Sequence, residues 1–139
     1  MGISIVFGGA SYEHEISIVS TIALKKTLGT YIKHYIFLDG DHRFWLIPHE
    51  YMKSSFFAQG LYKTKAKELF LGNGGFYYPQ GLFNKPKILK IAVLYSLIHG
   101  ADGEDGTLSA ICEFFAIPYI APRVQACVLS FDKSLTKLF

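Results

Sequence analysis

A cluster of one histidine, three acidic residues and three glycines occupies residues 99–106, directly after an apolar run. The run, residues 91–98, has the length and composition of a buried strand. Core packing does not account for the cluster, because acidic side chains are rarely buried unpaired and glycine weakens regular elements. Ligands of parallel α/β sheets bind beyond the carboxyl ends of the strands. The cluster therefore predicts a ligand site at the end of this strand.

His99 is the residue of this cluster best suited to chemistry. It follows the apolar run directly, so we expect its ring to point into the crevice beyond the sheet. An imidazole there can donate a hydrogen bond to an oxygen with developing negative charge, or transfer a proton near neutral pH. Glu104 and Asp105 precede a predicted helix that Asp105 or Thr107 can cap. For these two acids, capping and a functional role are about equally good interpretations.

A second loop with chemical potential follows the first predicted strand. Gly8 and Gly9 allow close approach of a ligand, and a helix amino terminus behind them offers free N–H donors. Glu13 and Glu15 stand at the positive end of that helix, where they repel phosphate and favour a cation such as a substrate ammonium. The alternative, which the residues alone favour, is that both glutamates only stabilise the helix start. The loop matches neither GxGxxG nor a P-loop, so it does not indicate nucleotide binding.

Composition limits the class of protein. The 139 residues suffice for one domain, and 50% hydrophobic with 18% charged residues is typical of a globular chain. A net charge of +3 with scattered lysines argues against a nucleic-acid partner. No run approaches the ~18 apolar residues that span a bilayer, and no signal peptide opens the chain, so we expect a cytoplasmic protein without a membrane partner.

Three other kinds of site are not supported. Cys112 and Cys127 form no CxxC pair and are interpreted as buried free thiols. The five histidines lack metal-ligand spacing, so no metal site is predicted. No GxSxG elbow accompanies the serines near His99, which argues against a serine hydrolase.

The elements that must position the two loops alternate between strands and helices. Strands are predicted over residues 3–7, 35–38, 43–47, 88–98 and 118–120, and helices over residues 11–28, 107–115 and 124–139. This alternation predicts an α/β fold with an open, mainly parallel sheet and helices on both faces. Residues 50–87 are interpreted as an elaboration between two parallel strands, with a short helix over 54–61. Within it, strands 68–71 and 76–78 flank an Asn-Gly turn.

Together the two loops resemble the amino-terminal domain of the D-alanine–D-alanine ligases, members of the ATP-grasp superfamily. Residues 6–17 read VFGGASYEHEIS, like the family's strand-GG-x-S-x-E-x-E-[VI]-S opening, and residues 99–106 fit HGxxGEDG at every fixed position. Further matches fall at the family's spacing: Leu108, Glu113, Ile117-Pro118-Tyr119, Ala126 and Asp132-Lys133. The resemblance is colinear along the chain, weak between residues 39 and 87, and implies a Rossmann-like, pre-ATP-grasp fold.

The resemblance implies an ATP-dependent ligase that makes the D-alanyl-D-alanine dipeptide for peptidoglycan. ATP phosphorylates the carboxylate of one D-alanine, and the amine of a second then attacks the D-alanyl phosphate, with ADP and phosphate released. Mg²⁺ and a homodimeric assembly belong to the same expectation.

Carried over by position, the resemblance gives roles to individual residues. Glu13 binds and orients the first D-alanine, and His99 contacts its carboxylate and supports developing charge; these two are the expected catalytic residues. Lys133 lies near the ATP phosphates. The substrate pocket is completed by Gly9, Ser11, Gly100, Gly103 and Glu104.

Length also separates this chain from the whole ligases that it resembles. We expect residues 1–122 to form the substrate-binding domain and residues 123–139 to begin the connection to a central ATP-grasp domain that the chain lacks. By itself the chain is then inactive and binds no cofactor tightly. Departures from the family pattern are Ser109-Ala110 in place of Gln-Gly, Ala121 in place of glycine, Cys127 in place of serine and Phe131 in place of methionine.

Two alternatives stay open. The chain can belong to a ligase that uses D-lactate or D-serine as second substrate, because the residues choosing that substrate lie mostly outside it. It can also be a non-catalytic module of pre-ATP-grasp type that binds a small molecule or docks on another chain through its aromatic residues.

Overall fold

The computed structural model describes residues 2–10, 14–98 and 106–120 of the chain. Its strands are β1 (Ile3–Gly8), β2 (Ile32–Leu38), β3 (Phe44–Ile47), β4 (Lys67–Gly72), β5 (Gly75–Tyr78), β6 (Lys87–Lys90), β7 (Leu94–Ser96) and β8 (Tyr119–Ile120). Its α-helices are α1 (His14–Leu28), α2 (Ser54–Ala58), α3 (Tyr62–Lys65) and α4 (Thr107–Phe114). Single 3₁₀ turns follow α1 at Gly29–Tyr31 and β3 at His49–Tyr51.

The strands form one mixed sheet in the order β6-β5-β4-β3-β2-β1-β7-β8. Strands β2, β1, β7 and β8 are parallel neighbours, whereas β2 through β6 form an antiparallel meander. The predicted α/β class is confirmed, as are the hairpin of β4 with β5 and the end of α1 at Leu28. The two glycine loops, which are the loop after β1 and the loop of residues 99–106, both follow strands of the parallel part. The elaboration predicted over residues 50–87 supplies most of the meander.

The prediction of one strand over residues 88–98 was wrong. Strand β6 pairs with β5 at one edge of the sheet, whereas β7 pairs with β1 several strands away. Leu89, Ile91 and Leu94 nevertheless pack into the same core cluster. Residues 91–93, which connect β6 to β7, are apolar, so no Gly, Pro or polar residue marks the end of one strand and the start of the next.

Side chains of alternate strand residues form two cores, one on each face of the sheet. From β1, Ile5 and Phe7 pack with Ile18 of α1. Val6 points to the opposite face, where it joins Leu108 of α4. This alternation follows from the two-residue period of a strand, and full burial of each such side chain stabilises the fold by about 1.5–3 kcal/mol. The predicted covering of both faces by helices is confirmed.

Two predicted helix details differ from the structure. The helix expected over residues 54–61 is shorter, because α2 ends at Ala58 and a separate helix, α3, follows. Gly106, with φ of 88°, occupies the N-cap position of α4. The prediction that Asp105 or Thr107 holds this position was therefore wrong. The residue that connects the loop to the helix has a positive φ, which glycine adopts without strain. The helix predicted over residues 124–139 lies outside the described residues.

No helix within the described ranges is long and apolar enough to cross a lipid bilayer.

Cys112 should resist alkylation in the folded protein. It is 1% exposed, and burial raises the pKa of its thiol to about 12, so almost none of the reactive thiolate forms near neutral pH. Its interpretation as a buried free thiol is confirmed, whereas Cys127 lies outside the described residues. Iodoacetamide treatment followed by peptide mass mapping should leave Cys112 unlabelled until denaturant is added. Rapid labelling without denaturant would contradict this prediction.

Candidate functional site

Both glycine loops begin at the same end of the sheet, where the parallel strands β1 and β7 have their carboxyl ends. Strands β1 and β7 are adjacent and parallel, with Ser4 opposite Leu94 and Val6 opposite Ser96. The N–H of Leu97 continues the pairing by donating to the carbonyl of Val6 over 2.9 Å. Because parallel strands present their carboxyl ends together, the chain leaves both strands at the same end of the sheet, where ligands of such sheets bind.

Gly8 and Gly9 shape the start of the first loop. Both have positive φ, of 98° and 90°. A Cβ added at Gly8 would lie 2.4 Å from the carbonyl oxygen of Leu38 and 2.8 Å from the ring of Phe37. The N–H of Gly9 donates to the same Leu38 carbonyl over 2.8 Å. Only a residue without a side chain lets β1 turn away so close to β2.

Ser17 of α1 joins the ends of the two site-forming strands. Its Oγ accepts a hydrogen bond from the N–H of Gly8 over 2.9 Å and donates one to the carbonyl of Leu97 over 2.6 Å. The side chain is completely buried. One hydroxyl thus satisfies a donor at the end of β1 and an acceptor just beyond β7.

His14 and Glu15 form the described beginning of α1. The Nδ1 of His14 donates to the carbonyl of Gly9 over 2.5 Å, and its ring packs edge-on against Phe37 with the centroids 5.3 Å apart. Glu15 is exposed in the first helical turn, where the helix dipole favours its negative charge. His14 therefore braces the glycine turn, whereas the position of Glu15 fits helix stabilisation.

Asp39, just after β2 at the same edge, has a structural role. One carboxylate oxygen accepts the N–H groups of Asp41 and Arg43, and the other accepts the indole N–H of Trp45, each over 2.9 Å. Nearby, burial and then the carboxylates of Asp39 and Asp41 raise the pKa of Tyr62. Because two N–H groups of the turn and the indole of Trp45 in β3 occupy both carboxylate oxygens, Asp39 fixes the turn that follows β2.

Of the residues predicted to form the site, Gly9 is described, and it lies in the turn that follows β1. The others lie outside the described residues: Ser11, Glu13, His99, Gly100, Gly103, Glu104 and Lys133. The chain enters and leaves the two loops at Ala10 and His14, and at Ile98 and Gly106. Four described residues thus bracket the predicted site, and the roles of the residues between them stay predictions.

The structure also assigns two site-supporting roles that the sequence analysis missed. Ser17 and His14 both contact the glycine turn through hydrogen bonds. Ser17 is a small polar residue at a position of α1 that faces the sheet, and this is a signal that could have revealed it. A serine at such a position must find partners because an unpaired buried hydroxyl is costly.

The described residues bring no three histidine, cysteine, aspartate or glutamate side chains together. Lys133, the residue expected near the ATP phosphates, falls outside the described ranges.

Comparison with known proteins gives a consistent match. The family model described as "D-ala D-ala ligase N-terminus" matches residues 2–122. A D-alanine–D-alanine ligase from Wolinella succinogenes is 52% identical over all 139 residues, and one from Helicobacter pylori is 48% identical over the same length. The chain spans 39% of the length of each of these relatives.

Solved structures show the same fold. The crystal structure of the Helicobacter pylori D-alanine–D-alanine ligase superposes with a TM-score of 0.88 at 47% identity, covering 99% of this chain and 43% of that one. The Coxiella burnetii D-alanine–D-alanine ligase gives 0.80 at 29% identity, covering 99% and 40%. A D-Ala:D-Ser ligase from Enterococcus faecalis gives 0.75 at 21% identity, covering 96% and 39%, and shares the fold.

Proposed function

Because the chain belongs to the family of D-alanine–D-alanine ligase amino-terminal domains, we propose that it forms the first D-alanine site of such a ligase. The observation that carries this proposal is the parallel pairing of β1 with β7, which starts both motif-bearing loops at one edge. A ligase of this kind needs both loops there, one to hold the substrate ammonium and the other its carboxylate. We also propose that residues 1–122 form this domain and that residues 123–139 lead toward an ATP-grasp domain.

Glu13 and His99 have complementary tasks in the proposed site. The carboxylate of Glu13 binds the ammonium of the first D-alanine, since opposite charges in a partly dehydrated crevice attract strongly. His99 donates a hydrogen bond to the substrate carboxylate and stabilises negative charge as it shifts during the reaction. Ser11, Gly100, Gly103 and Glu104 shape the walls of the pocket around these two residues.

The proposed reaction has two steps. A carboxylate oxygen of the first D-alanine attacks the terminal phosphorus of ATP, the bond to ADP breaks, and D-alanyl phosphate forms. The amine of the second D-alanine then attacks the acyl carbon, loses a proton, and expels phosphate. Holding the first substrate by both its ends aligns its carboxylate for the first attack.

ATP and Mg²⁺ are proposed for the whole ligase. Mg²⁺ would neutralise charge on the transferring phosphoryl group. From this chain we assign only Lys133 to the ATP phosphates. A homodimeric assembly, which the resemblance implies, and a location in the cytoplasm, which the composition led us to expect, complete the proposal.

The test is product analysis with the intact protein that contains this chain. With D-alanine, ATP and Mg²⁺ we expect D-alanyl-D-alanine, ADP and phosphate in equal amounts, measured by mass spectrometry and a coupled ADP assay. Parallel reactions with added D-lactate or D-serine measure the choice of second substrate. A mixed product in excess would identify the alternative ligase class, and no D-alanine-dependent ADP release would contradict the proposal.

Residues 1–139 alone should make no dipeptide. The chain spans only 39% of the length of a relative that is 52% identical to it, and we propose that the ATP-grasp domain lies outside it. ADP release from the isolated chain with D-alanine and ATP should equal the rate without protein. Release that depends on D-alanine would refute this prediction.

A further inference from the structure

We propose that Ser17 is a positioning residue that holds the two substrate-binding loops in register with each other. The inference rests on the proposed function, because it concerns the same D-alanine site. It extends that function to a buried residue that is neither of the two expected catalytic residues. Its basis is the pair of hydrogen bonds that one hydroxyl makes to two different strand ends.

The geometry gives Ser17 a position that other polar residues of α1 do not share. Its partners, Gly8 and Leu97, are 9 and 80 residues away along the chain. Gly8 ends β1 just before the loop with Glu13, and Leu97 follows β7 two residues before His99. The hydroxyl is therefore a direct connection between the supports of both loops, within an entirely buried environment.

Both hydrogen bonds depend on one proton and one lone pair. The Ser17 hydroxyl donates its proton to Leu97, so the same oxygen must accept from Gly8. If the hydroxyl is removed, the Gly8 N–H and the Leu97 carbonyl lose these partners while both remain near the crevice edge. A small displacement of either strand end changes the separation between the ammonium-binding and carboxylate-binding sides. A misplacement of 1 Å can reduce a catalysed rate by about a hundredfold.

Thr21 provides a matched control on the same helix. It is completely buried, one turn beyond Ser17, and its Oγ1 donates to the Ser17 carbonyl over 2.8 Å. Thr21→Val removes a buried hydroxyl and keeps the side-chain shape, but neither strand end loses a partner. Comparison with Ser17→Ala thus separates general destabilisation of α1 from misplacement of the loops.

The experiment measures steady-state kinetics and thermal unfolding of the intact protein, with wild type, Ser17→Ala and Thr21→Val side by side. For Ser17→Ala we expect the KM for the first D-alanine to rise by roughly 10- to 100-fold, with the KM for ATP within about twofold of wild type. Thr21→Val should lower the Tm while both KM values stay near wild type. Absence of wild-type ligation would contradict the proposed function instead, so the two failures are distinguishable.

Two outcomes would overturn the positioning role. One is a KM for D-alanine in Ser17→Ala no higher than in Thr21→Val. The other is a wild-type KM for D-alanine in Ser17→Cys, the variant to be used if Ser17→Ala does not fold. Ser17→Cys retains a weaker donor and acceptor, so we expect an intermediate KM for D-alanine, and a wild-type KM would overturn the proposal.

Discussion

Gly8→Ala is expected to destabilise the domain by about 3–5 kcal/mol, a large part of the stability of an ordinary domain. The φ of 98° at this position costs an alanine about 1–3 kcal/mol. The new Cβ would also lie 2.4 Å from the carbonyl oxygen of Leu38, which is backbone and cannot rotate away. Separation of β1 from β2 at this point would then weaken the hydrogen bonds of Gly8 to Ser17 and of Gly9 to Leu38.

Gly40→Ala is the matched control for this prediction. Gly40 stands in the neighbouring turn at the same edge, has no positive φ, and would place its Cβ in open space. It should change stability by less than about 1 kcal/mol. Chemical denaturation of both variants in the intact protein measures the difference. Equal stabilities for the two variants would mean that the close contact of β1 with β2 is not as the structure has it.

Glu13→Gln is expected to lower kcat/KM for the first D-alanine by roughly a hundredfold, which corresponds to about 2.7 kcal/mol of transition-state binding. Glutamine has nearly the same shape and retains hydrogen-bonding atoms, but it removes the negative charge that attracts the substrate ammonium. The loss should fall mainly on KM for D-alanine, because the proposed contact is present before the chemical step. Initial rates at varied D-alanine concentration, with ATP saturating, measure it.

Glu15→Gln distinguishes substrate binding from stabilisation of the helix. Glu15 is exposed in the first turn of α1, so its variant also removes a negative charge near the positive end of the helix. Its KM for D-alanine should remain within about threefold of wild type. Glu13 would instead only stabilise the start of the helix if both glutamine variants changed the KM for D-alanine equally. The same conclusion would follow if Glu13→Gln lowered only the Tm.

The parallel part of the fold could be predicted from the sequence because its signals are local. The apolar residues of β1, the glycines after it and the helical spacing in α1 all lie within a short segment, and the structure confirms these elements. The assignment over residues 88–98 failed because the apolar residues 91–93 between β6 and β7 include no Gly, Pro or polar residue that would signal a break. Hydrophobicity also does not show that β6 pairs with β5 whereas the next strand, β7, pairs with β1.

The supports of the site depend on contacts that sequence spacing cannot show. Ser17 bonds to a carbonyl 80 residues away, and the steric need for glycine at position 8 arises from Leu38, 30 residues further on. Residue types suggested where ligands bind, and the family resemblance suggested which ligand. The hydrogen bonds that bring the two loops to a common edge required the folded chain.

The most direct test of the proposed site is whether the ring resonances of His99 change when D-alanine binds. In the intact protein with ¹⁵N-labelled histidine and a non-hydrolysable ATP analogue, NMR spectra are recorded during titration with D-alanine, and L-alanine serves as the control. We expect D-alanine to shift the ring resonances of His99 in a saturable manner, whereas His34, which lies on β2 opposite Ser4, should not respond. Unchanged His99 resonances at D-alanine concentrations that saturate ligation would contradict the proposed site.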